Sequence, residues 1–137
     1  MVSLEIQVSD GTNLSATVHV AINLNDLNDN TPRIDAAGPF GLDENTLTGS
    51  SIATLGVTDA DASNTFSWSI VSGNTDVNAN SNEAFVINSG SGEITVNDAG
   101  DLDFESGVTA FNLDVQVSDG TNTSALETIV ITINDIN

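Results

Sequence analysis

LDVQVSDGTNTSALETIVITINDIN, residues Leu113–Asn137, occurs twice in this chain in only lightly altered form. Moved back by 109 residues it falls without a gap on LEIQVSDGTNLSATVHVAINLNDLN, Leu4–Asn28, and 14 of the 25 aligned positions are identical. Self-similarity at a fixed period is the mark of a repeat architecture, so the chain reads as the tail of one unit followed by nearly all of a second. Within the unit, Phe111, Leu113, Val115 and Val117 alternate with Asn112, Asp114, Gln116 and Ser118, and Ile129, Ile131 and Ile133 alternate in the same way. That period of two belongs to half-buried β-strands. SDGTN, at Ser9–Asn13 and Ser118–Asn122, joins the two strands of each copy. It is turn chemistry, since Gly accepts φ > 0 and Asp bonds its own backbone.

The same pattern extends outward. Runs between Gly, Asn, Asp and Ser clusters predict seven strands: near Arg33–Asp43, then Ser51–Thr58, Thr65–Ser72, Ala84–Asn88, Gly92–Asn97, Phe111–Ser118 and Leu126–Asn134. Gly73 opens a polar loop running to Asn82, Gly90-Ser-Gly92 makes a turn, and Asp98-Ala-Gly-Asp101 opens the connection to the sixth strand. No segment longer than a turn has a 3.6-residue apolar period. The expected fold is all-β, a seven-stranded immunoglobulin-like Greek-key sandwich. Residues 1–25 are expected to be the last two strands of a preceding repeat, 26–32 a linker, and 33–137 one nearly complete repeat.

Composition narrows the function. The chain has 20 Asp and Glu against one basic residue, Arg33, for a formal net charge of −19. Such a surface repels nucleic acid and anionic membranes and attracts cations. The acids are interleaved with apolar runs rather than blocked together, which favours a folded domain over disorder. There is no cysteine, so neither a disulfide frame nor a thiolate metal site is available. No apolar stretch approaches ~18 residues, and Met1 leads directly into an alternating strand pattern, so any export signal is expected outside this sequence.

Parity gathers the acids. If strands alternate up and down, the loops after the second and sixth strands lie at the pole where the linker enters, and the loops after the first and fifth lie at the exit pole. The entry pole then holds Asp59, Asp61 and Asp119 beside Asp26-Leu-Asn-Asp-Asn30. The exit pole holds Asp43, Glu44, Asp101, Asp103 and Glu105 beside Asp135-Ile-Asn137. Carboxylate and amide oxygens clustered without His or Cys match the shell that Ca²⁺ takes. Each piece alone is weak, because Asp-Gly is usually a turn and Asp-x-Asp a common surface pairing. The coincidence of separate acidic motifs at one pole, repeated at the other, carries the reading.

These motifs resemble the cadherin repeat over nearly the whole chain. Asp26–Asn30 is similar to that family's DxNDN linker, Asp43-Glu-Asn45 to its glutamate element, Asp59-Ala-Asp61 to its DxD, Leu102-Asp-Phe-Glu105 to its LDRE, and Val117-Ser-Asp119 to its AxD. Asn64, Trp68-Ser-Ile70 and Ser91-Gly-Glu-Ile94 match further family elements. The resemblance implies calcium held between successive repeats. Its entry-side ligands would be Asn28, Asp29, the carbonyl of Asn30, Asp59, Asp61, Asp119 and the carbonyl of Asn64. Its exit-side ligands would be Glu44, Asp103 and Glu105, with Asn137 beginning a linker that stops before a counterpart of Asp29. Phe104 stands where the family has Arg, a change expected to affect packing more than ligation. Asp10 is expected to be a turn former only, because its partners would belong to the preceding unit.

The implied function is a calcium-binding extracellular repeat that stiffens a multi-repeat adhesin and supports cell or surface adhesion. Partners would be adjacent repeats of the same polypeptide, with a homophilic partner or a cell-surface polysaccharide beyond them, and neither nucleic acid nor direct membrane insertion. Scarce Lys and Arg with abundant Asn, Thr, Ser and Asp resemble bacterial surface or secreted adhesins more than animal cadherins. The competing class is a calcium-dependent carbohydrate-binding module. It is disfavoured by the absence of Tyr and by the single Trp68 in a core-forming strand. An enzyme is not expected: His19 falls on the polar face of its strand, and Asp103 with Glu105 lacks the aromatic platform of a glycosidase.

Overall fold

The computed structural model describes residues 1–62 and 65–136, and among these every regular segment longer than one turn is a strand. Two strands, β1 (Val2–Ile6) and β2 (Val18–Ile22), form an antiparallel hairpin by themselves. The remaining nine are β3 (Arg33–Ile34), β4 (Phe40–Asp43), β5 (Ser51–Thr54), β6 (Val57–Thr58), β7 (Ser67–Ser72), β8 (Phe85–Ile87), β9 (Glu93–Val96), β10 (Ala110–Ser118) and β11 (Glu127–Asn134). They make a sandwich of one sheet ordered β4-β11-β10-β7 and a second layer of β5-β9-β8 with the pair β3-β6.

The seven expected strands are all present, and the first two are each broken in two. The first switches layers: β3 pairs antiparallel with β6, whereas β4 pairs parallel with β11. Gly38 at φ +88° and Pro39 occupy the crossing point. The second breaks at Gly56, where a Cβ would lie 2.7 Å from Asp35 Oδ2. The parallel β4–β11 pairing has a direct consequence for the poles. First and last strands run the same way, so the chain enters at one end of the sandwich and leaves at the other.

Alternation in sequence becomes burial in space. Leu113, Val115 and Val117 of β10 and Ile129 and Ile131 of β11 are fully buried, facing Ile94 and Val96 of β9. Phe85 and Phe111 meet edge to face with centroids 5.0 Å apart, the geometry aromatic quadrupoles prefer. Trp68 is 4% exposed, so it is part of this core and has no free stacking face. Two single 3-10 turns, Ala99–Asp101 and Phe104–Ser106, fill the connection from β9 to β10.

Hairpin β1–β2 reproduces β10–β11. Leu4 pairs Val20 as Leu113 pairs Ile129, and Ile6 pairs Val18 as Val115 pairs Glu127, which is the 109-residue offset at every step. The turn repeats too, with Asp10 Oδ1 accepting from the Thr12 and Asn13 amides at 2.9 and 2.8 Å and Asp119 Oδ1 from Thr121 and Asn122 at 2.7 and 2.6 Å. What differs is the cover, since every residue from 1 to 27 is exposed.

Candidate metal centre

Three loops meet where the chain enters the sandwich. The turn after β6 supplies Asp59 and Asp61, the turn after β10 supplies Asp119, and oxygens of these three lie within 4.8 Å of one another. Asp59 Oδ1 accepts from the Asp61 amide at 2.8 Å, which folds the Asp-x-Asp segment so that both carboxylates share a side. The linker is tied down onto them. Asn30 donates its amide to Asp61 Oδ2 at 2.8 Å, and its side chain bridges Asp61 to Asp29 Oδ1. Asn28 Nδ2 reaches the Asp119 carbonyl at 3.4 Å. Asp29 itself is exposed and joins the cluster through Asn30.

Two side chains hold this junction without having been singled out as ligands. Asn122 Nδ2 donates to the Asn30 carbonyl at 2.6 Å and lies 3.4 Å from Asn28 Oδ1, clamping the linker to the SDGTN turn. That leaves the Asn30 carbonyl, an expected ligand atom, one lone pair. Asp26 Oδ2 accepts from the Ala62 amide at 2.5 Å, fixing the linker to the loop after β6. Asn122 belongs to the SDGTN turn, in which only Asp119 carries a ligand signature, and nothing local in the sequence indicates a partner 92 residues away.

The electrostatics of the cluster fit a cation. One oxygen of Asp59 and one of Asp119, both Oδ2, are shut off from solvent and receive no hydrogen bond among the described residues. A buried carboxylate oxygen without a donor is costly. Hydrogen bonds from the Asn122 and Thr121 backbone outweigh burial and hold the Asp119 carboxyl below its ordinary range, so it stays charged. All the donors are hard oxygen atoms with no nitrogen or sulfur ligand, which suits Ca²⁺.

The exit pole gathers a second group, with oxygens of Glu44, Asp103 and Glu105 within 4.8 Å of one another. Glu44 ties the pole together, its Oε2 accepting from the Phe104 amide at 3.2 Å and its Oε1 from the Ile136 amide at 3.3 Å. Phe104 packs against the core. The expected ligands Asn64 and Asn137 lie outside the described residues.

Two acidic groups at opposite poles of a β-sandwich, each gripping a linker-type segment, prompt a comparison with known proteins. The Cadherin domain family profile matches residues 39–134. The chain belongs to the cadherin family. Cadherin domains are extracellular adhesion modules. Among solved structures, "Protocadherin Gamma B2 extracellular cadherin domains 3-6" aligns with TM-score 0.72 and 26% identity over 88% of this chain. "Protocadherin gammaB7 EC3-6 cis-dimer structure" aligns with TM-score 0.73 and 25% identity over 88% of this chain. Mouse clustered PcdhgC3 EC1-3 aligns over 97% of this chain with TM-score 0.75 at 24% identity, a likeness of fold. The chain spans 29% of the length of the first two structures and 44% of the third. No curated protein sequence matches. Among the described residues no helix is long and apolar enough to cross a membrane.

Proposed function

We propose that this cadherin chain is a calcium-binding spacer that stiffens a multi-repeat extracellular adhesin, with Ca²⁺ between successive repeats. The reading is carried by the two orphaned, buried oxygens of Asp59 and Asp119, which lie in one cluster with Asp61 beneath the linker. In the ligand set, Asn28, Asp29, the carbonyl of Asn30, Asp59, Asp61 and Asp119, with Asn64, serve the entry side. Glu44, Asp103 and Glu105, with Asn137, serve the exit side. Residues 1–25 are then the closing hairpin of a preceding repeat and 26–32 the calcium-binding linker, in keeping with the duplicated register of β1–β2 and β10–β11.

The mechanism is mechanical. Without the ion, like charges at the junction repel and the linker is held by hydrogen bonds to Asp61, Ala62, Asp119 and Asn122. A bound ion would be shared by carboxylates of one repeat, the linker and the next repeat, and would fix the angle between modules. Adjacent repeats of the same polypeptide are the first partners. Homophilic contact, for which the cis-dimer of the gammaB7 protocadherin is a precedent, or a cell-surface polysaccharide would supply adhesion. The scarcity of basic residues supports a secreted or surface adhesin of bacterial type.

The test is thermal unfolding across a calcium series for three proteins: the natural chain, Asp61→Ala and Asp10→Ala. Calcium should raise the melting temperature of the natural chain and of Asp10→Ala by similar amounts, and raise that of Asp61→Ala much less. Equal responses from the two variants would remove the Asp59–Asp61–Asp119 cluster as the binding site.

A further inference from the structure

Three carboxylates carry a buried oxygen with no donor among the described residues, and only two of them belong to the junction. The third is Asp101, fully buried in the turn between β9 and β10. Its Oδ1 accepts from the Val77 and Asn78 amides, both at 2.9 Å, so the carboxylate is held against the loop joining β7 to β8 while its Oδ2 has nothing. That loop reads Asp76-Val-Asn-Ala-Asn-Ser-Asn82, with oxygen-bearing side chains at every second position. The first five residues follow the D-x-[DN]-x-[DN] order of calcium loops. Such loops turn sharply at their sixth residue, usually Gly. Here the sixth is Ser81, and it takes the left-handed conformation at φ +72°.

We propose that this loop and the turn beneath it form a second kind of calcium site, lying inside the module rather than between modules, with Asp76, Asn78, Asn80, Asp98 and Asp101 as its ligands. The turn is packed onto the loop closely enough that a Cβ on Gly100 would lie 2.6 Å from Asn78 Nδ2. Asp98 Oδ2 accepts from Asn78 Nδ2 at 3.1 Å and from Asn80 Nδ2 at 2.5 Å, so both amides already point toward an acid. A half-turn of each amide, giving up the bonds that Asn78 Oδ1 and Asn80 Oδ1 accept from the Asn80 and Asn82 amides at 3.1 and 2.9 Å, would present its oxygen to an ion in place of its nitrogen. Position twelve of the loop, where calcium loops carry a bidentate acid, is Ile87. Asp98 and Asp101 supply that charge from the neighbouring turn. Asp76, Asp98 and Asp101 would bring three negative charges once an ion drew them together, and no His or Cys is among them, so a hard divalent cation is the fitting occupant.

The site is separable from the junction by experiment. Calcium titration of the full chain by calorimetry, with amide chemical shifts followed in parallel, is applied to the natural protein, Asp76→Ala, Asp101→Asn and Asp61→Ala. The expected result is that Asp76→Ala binds one Ca²⁺ fewer per chain and loses the calcium-induced shifts at residues 76–82, while Asp61→Ala keeps that ion and those shifts. Asp76→Ala is the decisive variant, because Asp101→Asn also alters a side chain that supports the loop. If Asp76→Ala binds as many ions as the natural chain, or calcium moves only amides near residues 26–30, 59–62 and 119–122, the loop holds no ion. An ordered water would then be the partner of Asp101. Loss of binding in Asp76→Ala with none in Asp61→Ala would overturn the junction reading and leave this one standing.

Discussion

Asp10 and Asp119 make the same turn and are expected to do different things. Each carboxylate caps the two amides that follow it, and backbone hydrogen bonds, from Asn13 to Asp10 and from Asn122 to Asp119, are the largest cause holding each carboxyl below its ordinary range. With the folded-state value below an unfolded value of about 3.9, each turn adds stability that is present above that pH. The contribution is lost as pH falls through the depressed folded value. Calcium separates the two. Only Asp119 has Asp59 and Asp61 within reach, so in a carboxyl carbon NMR titration both residues should titrate below the ordinary aspartate range without calcium, and added calcium should shift the Asp119 signal and leave Asp10 in place. Equal calcium shifts at both would mean that the ion recognises the turn alone. The acids at this scale were legible in the sequence, because Asp59, Asp61 and Asp119 follow strands whose parity could be counted. Asn122 was not, and Asp101, expected with the exit-pole acids, turns to the Val77 and Asn78 amides instead, since these partners are set by tertiary packing.

Among the elements, hairpin β1–β2 is the one whose surroundings do not match its sequence. Val2, Leu4, Ile6, Val18, Val20 and Ile22 pair across one face, each between 38% and 59% exposed, whereas Leu113, Val115, Ile129 and Ile131 at equivalent positions are fully buried. Full burial of such a side chain contributes roughly 1.5–3 kcal/mol, and the hairpin obtains only part of that. A lone two-stranded hairpin is marginal in water. Thermolysin should therefore cut within residues 1–25 well before it cuts the sandwich, with mass measurement locating the sites; resistance of 1–25 equal to that of β10 and β11 would contradict the assignment of these residues to a separate, incomplete unit. The strands themselves were readable from alternation, because each apolar residue on a two-residue period had one core to face. The breaks in the first two were not. Whether β4 stays with β6 or crosses to β11 depends on the Gly38-Pro39 corner and on Gly56 against Asp35, contacts between segments rather than patterns within one. The loop after Gly73 likewise shows only a polar connection in sequence, its contacts with Asp98 and Asp101 being invisible in one dimension.

For the whole molecule, the proposed function makes the two poles complementary halves of one joint. The entry pole offers Asp59, Asp61 and Asp119 under a linker, and the exit pole offers Glu44, Asp103 and Glu105 around Ile136. Because the sequence repeats every 109 residues, Asn137 is the counterpart of Asn28. Residues 29–137 can therefore be appended after Asn137 in register, completing one junction from sequences already present. Extracellular calcium modules commonly bind at about 10⁻⁴–10⁻³ M, and a pole with half of the ligands should lie at the weak end or beyond it. Calorimetric calcium titration of the natural chain against this tandem chain tests the central claim most directly: the tandem should bind additional ions at least tenfold more tightly than any inter-repeat half-site of the single chain, and binding per repeat that is unchanged in number and affinity would contradict calcium as the element that joins and stiffens the repeats.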